Sequence, residues 1–308
     1  MSRNPLLLIL SAAAWTGFNA VTLWTMAFLA DVVVPRTVDG PPTTHAAVAV
    51  TADLTLMLLF AVQHSVMARP QVKALLRRRI QAALERTSYV LATDICLVLL
   101  LVLWQPWGGE VWHVHGPASF VLWTLCAAGW LLAIAATFAV DHFELTGLRQ
   151  AGWWAPREAA RASELKVEGL HGIVRHPLMT GLLLAFWATP HMGASHLLFA
   201  VTATAYIAVG VRFEERDLRR TFGAAYDAYA ARVPALLPRL PLRTRQRRSA
   251  LLRWRITDHL GSQGLDSHEA QQQRMRAFMA GLCLSRPATP ARRLGSLQSE
   301  QRPSRARA

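Results

Sequence analysis

Apolar residues in this chain are gathered into blocks long enough to cross a bilayer, and that clustering leaves few folds open. The blocks run from about Leu6 to Val34, Ala46 to Met67, Ser88 to Trp104 and Ser119 to Val140. Each is near or above the roughly 18 residues that span a hydrocarbon core. With 53% of its 308 residues apolar and only 17% charged, the chain reads as all-α: a polytopic membrane helical bundle. A further pair of apolar stretches, Leu178 to Thr189 and His196 to Phe213, is broken by Pro190-His191-Met192-Gly193 and reads as a hairpin. Four spans plus this hairpin make five or six transmembrane segments. The limb from Leu178 is short, because a helix of about 12 residues rises about 18 Å against a hydrocarbon core of roughly 30 Å. It is expected to wall a cavity rather than to cross alone.

The first block follows Arg3 as a secretory signal would. It is too long for one and ends in Asp31-Val32-Val33-Val34-Pro35-Arg36 without a small-x-small cleavage pattern, so a retained helix is expected. Cys96, Cys126 and Cys283 stand apart with no metal-ligand spacing and read as inert.

The formal charge of +14 raises the question of nucleic acid, but the basic residues follow the membrane. Arg69, Lys73, Arg77, Arg78, Arg79 and Arg86 separate the second and third blocks, and Arg149, Arg157, Arg161, Lys166 and Arg175 separate the fourth from the hairpin. If these loops are cytosolic, Arg36 alone lies outside, as the positive-inside rule requires. Both termini then face the cytosol, and the expected location is a bacterial inner membrane with the lipid bilayer as partner and no nucleic acid. The stretch from 242 to 308 is rich in Arg, Gln, Ser and Pro. It reads as a basic, disordered cytosolic tail after a transmembrane domain over 1–241.

Chemistry-bearing residues concentrate at that cytosolic boundary. His171 and Arg175-His176-Pro177 enter the short helix, and Glu214-Glu215 follow the hairpin, leading to Phe222-Gly223, Tyr226, Tyr229 and Val233-Pro234. Pro177 suits the first position of a helix, where its missing N–H costs nothing. The N–H groups beyond it form a small anion site. Glu215 and Arg219 also stand four apart, as in an ordinary solvated helix pair. Tyr226, Tyr229, Trp153 and Trp154 read as interfacial anchors. Asp53 and Asp94 fall inside apolar blocks, where an ionisable residue is a functional hypothesis by default. Asp53, near the outer boundary, is expected to be hydrated, which leaves Asp94 the more suggestive.

This arrangement resembles the isoprenylcysteine carboxyl methyltransferase superfamily, with its Arg-His-Pro segment, helical hairpin, Glu-Glu pair, Phe-Gly, two tyrosines and Val-Pro. The runs Phe60 to Arg69, Glu85 to Val90, Asp141 to Gln150 and Ala185 to Pro190 narrow it: they are similar to the bacterial methanethiol S-methyltransferases of the nurim family. The likeness covers roughly residues 5 to 240. It implies an S-adenosylmethionine-dependent enzyme with a cytosol-facing cofactor pocket, methylating a small thiol, methanethiol, to dimethyl sulfide. No Rossmann fingerprint is present, so the cofactor site must be of another kind.

By the same resemblance Glu214 takes the place of the glutamate that binds the cofactor. His176, Pro177, Leu178 and Met179 take that of the cofactor-binding His-Pro run, and His171 replaces its upstream tyrosine. Lys166 and Glu215 are placed with them as cofactor-binding residues. An alkyl thiol must be deprotonated by a base or stabilised as thiolate by a cation. The catalytic candidates are therefore His64 and His142, each at a helix end where a structural role is also common, and Arg175; no metal ligands are expected. Gly210 stands where prenylcysteine enzymes carry a substrate-binding arginine, which argues against a carboxylate acceptor. His171 and Met179 depart from tyrosines usual in relatives. Methylation of another small thiol or lipid-like acceptor, or a non-enzymatic role like that of nurim-like proteins associated with denitrification, stays open.

Overall fold

The computed structural model describes residues 4–153 and 165–238. Trp154, Arg157, Arg161, Cys283 and the expected tail lie outside the described residues, and helices are numbered over those that are described. Among the described residues, five helices are long and apolar enough to cross a membrane: α1 (Pro5–Leu29), α2 (Ala46–Met67), α4 (Leu84–Leu103), α5 (Pro117–Val140) and α8 (Ala194–Phe222). The protein is a multi-pass helical membrane bundle. Between the spans lie the short α3 (Pro70–Arg77), α6 (His142–Leu145) and a 3-10 turn over Gly169–Gly172. The apolar but short α7 (Pro177–Trp187) and α9 (Ala224–Arg232) complete the helices among the described residues.

Burial runs opposite to that of a water-soluble bundle. Ile9, Leu58, Phe120 and Leu131 are exposed on the flanks of their helices, where lipid tails are as apolar as they are. Association must then come from close packing. Helices α5 and α7 achieve it with small residues: a Cβ built on Gly129 lies 2.7 Å from the Gly181 carbonyl oxygen, and one on Gly181 lies 2.6 Å from that of Gly129. Ala133 and Ala185 continue the two small faces one turn further on. At the other end of the bundle Trp104 is fully buried among Phe28, Leu100 and Phe199. Its indole N–H donates to the Val38 carbonyl over 3.1 Å.

The boundaries differ from the apolar blocks in ways local physics explains. Helix α1 stops at Leu29 instead of running to Val34, because Asp31 and Val33 adopt positive φ and turn the chain. Helix α4 starts a turn earlier than Ser88, at Leu84. The Pro190-to-Gly193 interruption is more than a hairpin turn: His191–Gly193 forms strand β2, paired antiparallel with β1 (Glu110–His113). Asp39 caps the following helix from across the chain, accepting from Gly193 N at 2.7 Å and His196 N at 3.0 Å. Asp53, expected to be hydrated, is completely buried, and its Oδ1 accepts from the Gln105 N–H at 2.8 Å.

Lengths decide what faces water. With its 11 residues, α7 rises about 16 Å, roughly half the hydrocarbon thickness. Helix α8, with 29 residues, rises about 43 Å and overshoots that thickness by about 13 Å. The overshoot carries Glu214 and Glu215 beyond the apolar part of the helix, to the level where α7 begins.

Candidate active site

Where α7 begins and α8 overshoots, a cavity of about 580 Å³ opens, lined by Lys166, His171, Arg175, His176, Glu214 and Tyr226 among others. Arg175 is the hub of its wall. Its backbone N–H donates to the Pro234 carbonyl at 2.8 Å, and the next N–H, of His176, donates to that of Ala235 at 3.0 Å. Thr180 Oγ1 donates to the Leu236 carbonyl at 2.7 Å. The chain after α9 is thereby laid along the start of α7 as a strap. The Arg175 guanidinium reaches the other way, donating from Nε to Glu215 Oε1 at 2.9 Å and from Nη1 to the carbonyls of Ala230 and Val233.

The two glutamates therefore take different parts. Glu215 is 13% exposed and committed to Arg175, with His176 Nε2 also 3.4 Å from Oε1. Glu214 lines the cavity, is 54% exposed, and lies 3.3 Å from His176 Nδ1. Burial alone disfavours the charged form of His176, but Glu214 and then Glu215 outweigh it and hold its pKa above the ordinary imidazole value. For His171 burial also works against protonation, and here Lys166 and His176 reinforce it, so its pKa is lowered. Two adjacent histidines are thus biased toward opposite charge states.

Of the remaining expected residues, Pro177 is buried at the first position of α7, and Leu178 and Met179 are half-buried on it, Met179 against the core cluster. Lys166 donates to the Ala139 carbonyl at 3.2 Å and to that of Val140, at the end of α5. His142 is not among the cavity-lining residues. Trp15 Nε1–H donates to its Nε2 at 3.0 Å, and Thr137 Oγ1, whose own proton goes to the Ile134 carbonyl, lies 3.0 Å from its Nδ1. Both ring nitrogens are engaged as those of a neutral imidazole, and burial keeps its pKa below the ordinary value despite Asp141.

His64 sits outside the cavity lining too, but next to its wall. Its Nε2 is 2.7 Å from the Tyr89 hydroxyl, and the Tyr89 ring lies under the Arg86 guanidinium at 5.0 Å. Arg86, which lines the cavity, donates to the Leu145 carbonyl at 2.6 Å.

Tyr226 and Tyr229 correct the reading as interfacial anchors. Both are buried and line the cavity, because the positive φ of Gly223 turns α9 back under α8. Tyr229 donates to the His171 carbonyl at 2.6 Å, and the buried Tyr226 hydroxyl lies against the Arg175–Glu215 pair. Lys73, Arg86, Asp141 and Glu144 also line the cavity without having been marked as site residues. One signal was present: Arg86, Asp141 and Glu144 lie in the runs that carry the family likeness. Asp141 further stands out by its φ of 145°, a strained backbone for a non-glycine residue.

The family model described as NnrU protein matches residues 54–242. Methanethiol S-methyltransferase 2 of Bradyrhizobium diazoefficiens is 44% identical over 78% of this chain and 92% of its own length. The methanethiol S-methyltransferase of Mycobacterium tuberculosis is 42% identical over 77% of this chain and 97% of its own. Nurim of Rattus norvegicus is more distant, at 32% identity over 54% of this chain and 67% of its own. No solved structure matches. With the match spanning more than half of the sequence and covering α4, α5, α7 and α8 entire, this chain belongs to the NnrU protein family.

Proposed function

We propose that this protein is an integral-membrane methyltransferase that transfers the methyl group of S-adenosylmethionine to methanethiol, giving dimethyl sulfide at the cytosolic face of a bacterial inner membrane. The observation that carries the reading is the cavity in which Glu214, free of the Arg175 pair, lies 3.3 Å from His176 Nδ1 on a wall shared with Lys166, His171 and Tyr226. The named relatives supply the acceptor.

The donor set fits the cofactor. S-adenosylmethionine presents an ammonium, a carboxylate and ribose hydroxyls. Glu214 is placed to accept from the ammonium or the hydroxyls, and Lys166 and the N–H groups after Pro177 to meet the carboxylate. His171, Leu178 and Met179 complete the wall, and Glu215 serves by holding Arg175 and His176 in place. When bound, the cofactor supplies a methyl group on a sulfonium, which the thiol sulfur takes in line while the electron pair of the broken C–S bond returns to the donor sulfur. The chain must remove the thiol proton and hold both sulfurs in line with the methyl carbon between them. His64, through the Tyr89 hydroxyl under Arg86, is the base best placed for that proton. His142 positions α1, α5 and α6 instead. Arg175 organises the wall, and Arg86 supplies the cation facing the thiolate.

The test is headspace chromatography of the purified full-length protein in detergent given S-adenosylmethionine and methanethiol. Dimethyl sulfide formation that disappears in Glu214→Ala is expected. Folded protein that binds no S-adenosylmethionine by calorimetry overturns the reading. Cofactor binding with methyl transfer only to a larger thiol or lipid keeps the class and moves the acceptor.

A further inference from the structure

Helix α5 separates the cavity from a second cluster of chemistry-bearing side chains. Val140 lines the cavity and Pro117 follows β1 after Val114, His115 and Gly116, so the 24 residues of α5 hold the two about 36 Å apart. At the β1 end the register of the ribbon sets His113 directly opposite His191, with ring centroids 5.2 Å apart. Glu110, on the same strand as His113, reaches both: its Oε2 is 3.4 Å from His113 Nδ1 and 3.9 Å from His191 Nε2. The ligand-type atoms of these three residues all lie within 4.8 Å of one another.

We infer that Glu110, His113 and His191 hold a borderline divalent transition-metal ion of the zinc type, clasping β1 to β2 at the end of the bundle opposite the Arg175 cavity. Metal–ligand distances of about 2.0 to 2.2 Å at tetrahedral angles put neighbouring ligand atoms about 3.3 Å apart. The 3.4 Å edge already meets this, the 3.9 Å edge closes with about half an ångström of side-chain movement, and the His113–His191 edge, within 4.8 Å, closes by movement of the two partly exposed rings. Two imidazole nitrogens and one carboxylate oxygen select zinc, copper or nickel over magnesium or calcium.

His191 is also oriented as a ligand should be. Its Nδ1 faces Asp31 Oδ2 at 3.7 Å, leaving Nε2 for the metal in the carboxylate–histidine–metal order that fixes ring and tautomer. Asp31 is itself held, its Oδ1 accepting from the Asp39 N–H at 3.2 Å. Asp39 is excluded as a ligand because both of its oxygens cap α8. The three ligands are 37% to 59% exposed, so an ion can enter and water can fill the open position.

The experiment is calorimetric titration of zinc into the full chain, purified in detergent without a polyhistidine tag and stripped with chelator, followed by thermal unfolding with and without zinc. One zinc per chain and a zinc-dependent rise in melting temperature are expected. Affinity should fall at least tenfold in His113→Ala and His191→Ala, and about tenfold in Asp31→Asn. Glu110→Gln, at an exposed position that should leave folding intact, is expected to weaken binding as well. Absence of one-to-one binding in the wild type overturns the site. Unchanged affinity in Glu110→Gln together with either histidine variant overturns it too, and assigns the zinc elsewhere.

Discussion

The Arg175 guanidinium and the Glu215 carboxylate are paired with only 10% and 13% of their side chains exposed, tying the start of α7 to the C-terminal part of α8. Breaking such a pair by removing one partner leaves a buried charge, at a cost of roughly 3 to 5 kcal/mol. Arg175→Ala also frees the Ala230 and Val233 carbonyls, so a large drop in melting temperature in detergent is expected. Glu214→Ala, whose carboxylate is half exposed, should cost far less stability than Arg175→Ala yet bind S-adenosylmethionine at least tenfold more weakly. A Glu214 variant that melts early but binds normally would reverse these roles.

His176 gives the fold a pH dependence whose sign follows from its surroundings. Burial opposes its charge, but Glu214 and Glu215 raise the folded pKa above 6.5. A raised folded value stabilises fully below the unfolded pKa and is lost as pH rises through the folded one. The melting-temperature difference between wild type and His176→Gln should therefore be greatest below pH 6.5 and shrink at higher pH. Parallel profiles for the two proteins would show that the carboxylates do not hold the proton.

His64 and His142 should separate by assay. With both nitrogens of His142 engaged by Trp15 and Thr137, His142→Ala is expected to lower the melting temperature. His64→Ala and Tyr89→Phe should leave folding close to wild type and reduce kcat by roughly 100-fold, a common scale for loss of a general base. Restored turnover of both at alkaline pH, where the thiol ionises unaided, would mark the pair as the proton acceptor. Turnover lost equally at every pH would refute that role.

Gly129 and Gly181 leave no room for a Cβ, with contacts of 2.6 to 2.7 Å to backbone atoms of the facing helix. Gly181→Leu must push α7 from α5 and displace His176 at its start. The expected result is failure of the purified protein to show a cooperative melt. Gly210→Ala, with nothing within 4 Å of the added carbon, serves as the tolerated control, and equal tolerance at both positions would refute the close crossing.

The membrane class, a bundle of five or six spans, the shortness of α7 and the grouping of Arg175, His176 and Glu214 were determined by sequence. Bilayer thickness converts apolar length directly into topology, and a motif at the end of a span has nowhere to go but the boundary. Tertiary structure alone decided which glutamate is spent on Arg175 and which faces the cavity, because adjacent helical residues look the same in sequence yet point about 100° apart. It also decided the burial of Tyr226 and Asp53, the engagement of His142 and the pairing of His113 with His191. These depend on contacts between residues distant in the chain, and no local spacing encodes which distant backbone or side chain will be met.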